Sequence, residues 1–162
     1  MACIASLITY GLIIAATILN GFLAGGNVDR AIVQMPAWRK VGARAWAAYS
    51  RRADLENGLF LYPIEAVGGA LFTISAAVSF QFDRAVPISA ALPIYLSVAL
   101  VLGGLLATVK AAPIMMSVRR IGDDTSALQK ALDGFRLWGN VRGGFQILAF
   151  LTNIWALVAV LT

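Results

Sequence analysis

Two ionisable residues stand where a hydrocarbon-facing helix should carry none: Glu65 in LFLYPIEAVGG and Arg142 in GNVRGGFQILAF. A carboxylate inside a bilayer costs about 2.5–3.5 kcal/mol on insertion scales, so it must be neutral, paired or wetted by a cavity. Brought together, the two offer general-base chemistry. Glu65 would accept the proton of an acidic phenolic or enolic O–H or C–H group, and Arg142 would stabilise the anion formed. They are the predicted catalytic pair.

Polar residues recur around each of them at helical spacing. Asp54, Asn57, Leu61 and Glu65 follow at intervals of three, four and four and share a face, which Arg51 extends by one turn. Trp138, Arg142, Gln146 and Asn153 stack in the same way near the C-terminus, Asn20 and Asn27 bring two amides from an N-terminal apolar run, and Lys110 follows a third run. The predicted ligand-binding set is Asn20, Asp54, Asn57, Tyr62, Lys110, Trp138 and Gln146. Asn20 and Gln146 are expected beside the catalytic pair, Asp54, Asn57, Arg51 and Lys110 toward the mouth, and Tyr62 and Trp138 as aromatic walls.

Each residue also has a plainer reading. A buried Glu65–Arg142 pair can simply tie two helices together and set their register. Asp54 with Arg51 is a local surface ion pair of small worth, Lys110 a snorkelling cation and Asn153 an interhelical hydrogen-bonding residue.

The elements that must position these groups are apolar. The chain has 162 residues, 60% of them hydrophobic and 13% charged, with a mean hydropathy of +0.80, outside the range of soluble globular domains. Runs over 4–24, 58–80, 88–109 and 139–161 are long enough to cross a hydrocarbon core of about 30 Å. The predicted fold class is therefore all-α, a polytopic four-helix membrane bundle forming one domain over 1–162. The first run lacks a basic leader and an A-x-A cleavage pattern, and is expected to be a retained helix.

The net charge of +5 is read by position rather than sum. Arg30, Arg39, Lys40, Arg44, Arg51 and Arg52 lie between the first two runs, and Lys110, Arg119, Arg120, Lys130 and Arg136 between the last two, with Arg84 alone on the other side. The positive-inside rule puts both long loops in the cytoplasm and both termini outside. Membrane lipids are the expected partners, not nucleic acid.

Both loops are expected to hold amphipathic interfacial helices, over about 36–56 and 125–137. Pro36 suits a first helical position, and Trp38, Val41, Ala45 and Ala48 form an apolar stripe opposite Lys40, Arg44 and Arg51. In the second, Ser126 and Gln129 have capping-box spacing. Pro113 is expected to kink or end the third run. Gly21 and Gly25 offer a close-approach face for another helix of the bundle or a second copy.

Histidine is absent and Cys3 is the single cysteine. That removes disulfide frameworks, thiolate metal sites, His-ligated haem and histidine-based triads. No flavin motif is present, so any reaction is expected to need no cofactor.

PAWRKVGARAWAAYSRRADLENGLFLYP, TVKAAPIMMSVRR and FRLWGNVRGGFQ together resemble a group of small bacterial four-helix integral membrane proteins. More distantly, the plan of spans, the proline-marked end of the third and the Trp138, Arg142 pair are similar to the anthrone oxygenase-like family. The first resemblance implies a bacterial inner membrane, and the second implies, for some members, cofactor-free oxygenation of fused aromatic phenols. The expected function is binding, with or without conversion, of an apolar or aromatic small molecule or lipid. An accessory subunit of a larger membrane complex, or a proton-coupled carrier working as a homo-oligomer, are the alternatives.

Overall fold

The structure, a computed structural model, describes residues 2–83 and 86–162, and their side chains from residue 7 onward. Arg84 lies outside the described residues. Four long apolar helices make up the molecule: α1 (Leu7–Val41), α2 (Ala43–Phe82), α3 (Ile88–Ser117) and α4 (Thr125–Leu161). Each is long and apolar enough to cross a membrane. Among the described residues there is no strand.

The helices run well beyond the apolar segments. No separate interfacial helix spans 36–56; its first part continues α1 and its remainder begins α2, with the break at Gly42. Gly42 adopts φ 88° and ψ 159°, a region essentially closed to residues with a Cβ. This break divides the expected Trp38, Val41, Ala45, Ala48 stripe. Trp38 is buried but Val41, Ala45 and Ala48 are exposed, while Ala43, Ala47, Ser50 and Asp54 point inward. Residues 125–137 likewise form the first turns of α4.

Two π turns, Arg30–Gln34 in α1 and Ala53–Asn57 in α2, flank the break. The first immediately precedes Pro36, whose missing N–H must interrupt the α-helical ladder. Pro113, by contrast, ends nothing. It leaves one carbonyl without its helical donor, and α3 continues to Ser117. Just beyond, Arg51 donates from Nε to the Val118 carbonyl (3.1 Å) and from Nη2 to those of Ile121 and Gly122. Arg51 thus fastens the turn that follows α3 and is neither Asp54's ion-pair partner nor among the residues lining the four-helix cavity.

The cap of α4 is Asp124 rather than Ser126. Its carboxylate accepts from the backbone N–H groups of Ser126 (2.9 Å) and Ala127 (3.1 Å) and from the Ser126 hydroxyl (2.8 Å).

Packing falls into layers. A large-residue cluster of Trp38, Trp46, Leu55, Met115, Leu128, Leu132 and Phe135 fills the basic end. A second, with Ile13, Ala76, Ile94, Ala156 and Val160, fills the end bearing the termini. Between them the core thins to Ala70, Val101 and Ala149. Small residues let the helices approach there: a Cβ on Gly103 would lie 2.7 Å from the Phe145 ring, and one on Gly21 2.9 Å from the Phe150 ring. Gly25 has open space before it, so of the Gly21 and Gly25 pair only Gly21 serves packing within the bundle.

Candidate functional site

Between the basic-end cluster and the thin middle layer lies a cavity of about 310 Å³. All four helices line it. Leu23, Asn27 and Arg30 come from α1, Asp54, Leu55, Leu59, Tyr62, Pro63, Glu65 and Val67 from α2, Leu105, Thr108, Ala112, Met115 and Met116 from α3, and Phe135, Arg142 and Gln146 from α4. Its volume is at the lower end of the range for small-molecule sites, and its walls are mostly apolar. Leu59, Tyr62 and Val67 on α2 and Met116 on α3 line it while remaining exposed, so it opens sideways between α2 and α3.

Five of the nine predicted site residues meet here: Asp54, Tyr62, Glu65, Arg142 and Gln146. Four do not. Asn20 sits deeper, donating to the Ala16 carbonyl (2.9 Å) and Thr73 Oγ1 (3.3 Å) against Gly69, and so clamps α1 to α2. Asn57 and Lys110 are exposed and off the cavity. Trp138 packs against the basic-end cluster instead of walling the site. Asn153 is buried but its Nδ2 makes no hydrogen bond among the described residues, so the expected interhelical bond is not formed.

The ion pair at the site is not the expected one. Glu65 and Arg142 share the cavity without forming a salt bridge. Asp54 is instead held by Arg30, whose Nη1 and Nη2 donate to Oδ1 (3.1 Å) and Oδ2 (2.8 Å). The geometry is bidentate and both side chains are largely buried, at 13% and 7% exposure, so this pair is far from the weak surface class. Tyr62 reaches Asp54 only at 3.5 Å, a marginal contact.

Arg30 and Arg142 both approach the Phe135 ring, at 4.8 and 5.9 Å from its centroid. The ring keeps the two cations beside each other over an apolar floor. Arg30 is neutralised by Asp54, whereas Arg142 has no carboxylate and no hydrogen bond among the described residues, and its Nε is buried without a partner. Glu65, half-buried, has none either. Next to them the Asn27 amide donates to Gln146 Oε1 (2.6 Å), closing the wall between α1 and α4. Beyond that wall an open crevice of about 800 Å³ runs past Arg39, Lys40 and Arg136, and Asn27 borders both spaces.

Arg30 and Phe135 are the site residues that sequence reasoning missed. Arg30 follows Asn27 by three residues and Asn20 by ten, on one helical face, but a span ending at 24 assigned it to a loop. Among the described residues no group of three or more His, Cys, Asp or Glu side chains is placed to hold a metal ion. Compared with protein-family models, curated proteins and solved structures, the chain matches none.

Proposed function

We propose that this protein resides in a membrane and binds a small amphiphile in the cavity. An anionic end is held at Arg142 and Gln146, and the apolar part leaves through the opening between α2 and α3. The observation that carries this reading is the state of Arg142, a guanidinium in an apolar-walled cavity with no ion pair and no hydrogen bond of its own among the described residues. Such a group is costly to leave uncompensated, and a ligand anion would supply what is missing.

The surroundings support a membrane setting. Large apolar side chains cover the outside of all four helices, among them Phe22, Phe60, Leu71, Leu106 and Leu151. Arg39, Lys40, Arg44, Arg119 and Arg120 gather at the Gly42 end, which the positive-inside rule assigns to the cytoplasm. The bacterial inner membrane follows from the family resemblance alone. Glu65 in the same cavity allows proton abstraction from a bound ligand, so cofactor-free conversion is a natural extension of binding.

Binding to the protein in neutral detergent tests the reading, with dodecanoate and its uncharged methyl ester as probes. Wild type should bind one dodecanoate at least about ten-fold more tightly than the ester, since a charge-assisted pair in a desolvated site is worth more than about 1.4 kcal/mol. Arg142→Gln should erase the difference. Equal binding of the two probes by wild type would contradict the reading.

A further inference from the structure

The charges lining the cavity do not cancel where they stand. Arg30 and Asp54 neutralise each other, and Asp29 sits exposed at the rim, accepting from Gln34 Nε2 at 2.6 Å. A guanidinium, Arg142, and a carboxylate, Glu65, are left over, each without a hydrogen bond or ion pair among the described residues.

Helix register fixes how far apart they are. Gly69 of α2 packs on Asn20 of α1, so Glu65, four residues nearer the basic end, lies at the level of Ala24. Gly143 of α4 packs on the Asn27 side chain of α1, so Arg142, one residue nearer the basic end, lies at the level of Val28. Four residues of α1 at about 1.5 Å each separate the two levels by about 6 Å, with Glu65 the deeper. Both side chains lean toward the basic end, as helical side chains lean toward their own N-terminus, and Arg142, the longer, leans away from Glu65 by at least as much as Glu65 leans toward it.

Resting on the amphiphile reading above, we infer that the occupant carries two polar groups: a terminal anion for Arg142, and an internal hydroxyl or ammonium donor, several carbons along its chain, for Glu65. A plain alkyl chain running past Glu65 would take water from the carboxylate and give nothing back. A donor at that depth satisfies it, and the remaining chain continues out between Val67 and Leu105. The order of groups is anion, donor, tail, the anion being nearest the basic end.

Three single-chain probes test this: dodecanoate, 6-hydroxydodecanoate and 12-hydroxydodecanoate. Wild type should bind the 6-hydroxy compound about ten-fold more tightly than dodecanoate although it is less apolar, because a hydrogen bond to a charged group outweighs the lost transfer energy. The 12-hydroxy compound should bind more weakly than dodecanoate. Glu65→Leu should reverse the preference for the 6-hydroxy compound while leaving dodecanoate bound, and Glu65→Gln, which keeps an acceptor, should retain part of it. If wild type binds all three alike, or Glu65→Leu leaves the preference intact, the inference falls while the cavity reading stands. If none of the three binds, the cavity reading falls and takes the inference with it.

Discussion

Arg30 and Asp54, twenty-four residues apart, each belong to a π turn, and the two turns face each other across the α1–α2 hairpin with a bidentate ion pair between them. A π turn adds a residue to the helical repeat and rotates the remainder of the helix about its axis, and such turns recur at functional sites. Asp54 and Glu65 both line the cavity, while Asn57 at the end of the second π turn is exposed. The pair also leaves Arg142 as the cavity cation without an ion pair among the described residues.

The Arg30–Asp54 pair should behave as a strongly coupled unit. Arg30→Met or Asp54→Leu alone strands a largely buried charge and should cost about 3–5 kcal/mol. The double variant should be much less destabilised than the sum, and no worse than either single change. Thermal or denaturant unfolding of all four proteins in one detergent measures the coupling.

Glu65 and Arg142 should show the opposite behaviour. Because they do not touch, a cycle of Glu65→Leu and Arg142→Met in the ligand-free protein should give an interaction within about 0.5 kcal/mol of zero. A coupling of several kcal/mol would mean that they form a structural pair.

Gly42 joins α1 to α2 in a conformation that other residues reach only under strain. Gly42→Ala should lower stability by about 1–3 kcal/mol, although nothing lies within 4 Å of the added Cβ. Gly25→Ala, in a helix and equally unobstructed, should be neutral or slightly stabilising and serves as the control.

Asp124 should give the protein an acid-sensitive component. The backbone N–H of Ala127, with the hydroxyl and N–H of Ser126, holds its carboxyl below the usual carboxylate range. A depressed folded-state value stabilises the native protein at any pH above the unfolded carboxyl value of about 3.9, and that contribution disappears as pH falls through the lower folded value. The stability difference between wild type and Asp124→Ala should therefore be constant from about pH 7 to 5 and shrink below about pH 4. Paired melting curves across that range measure it.

Hydropathy made the four helices legible, and the energetic cost of buried charge singled out Glu65 and Arg142. Counting at a uniform helical period carried the α4 stripe correctly from Arg142 to Gln146, because no π turn interrupts that helix. On α2 it carried Asp54 and Glu65 to the cavity but not Asn57, which closes the π turn Ala53–Asn57 and lies about 80° from Glu65 even on an ideal helix. Placing Arg30 in a loop hid Asp54's true partner, since helix α1 runs seventeen residues past the predicted end of the span at 24. Which acid meets which base depended on inter-helix register, and hydropathy carries no information about that.

The central claim is that Arg142 awaits a ligand's anion, and the most direct test is a high-resolution experimental structure of the protein in lipid nanodiscs. The account predicts an elongated molecule in the cavity, with an oxygen-bearing end within hydrogen-bonding distance of the Arg142 guanidinium and its tail leaving between Val67 and Leu105. A cavity closed by direct contact of Arg142 with Glu65, with α2 and α3 packed shut, would contradict it.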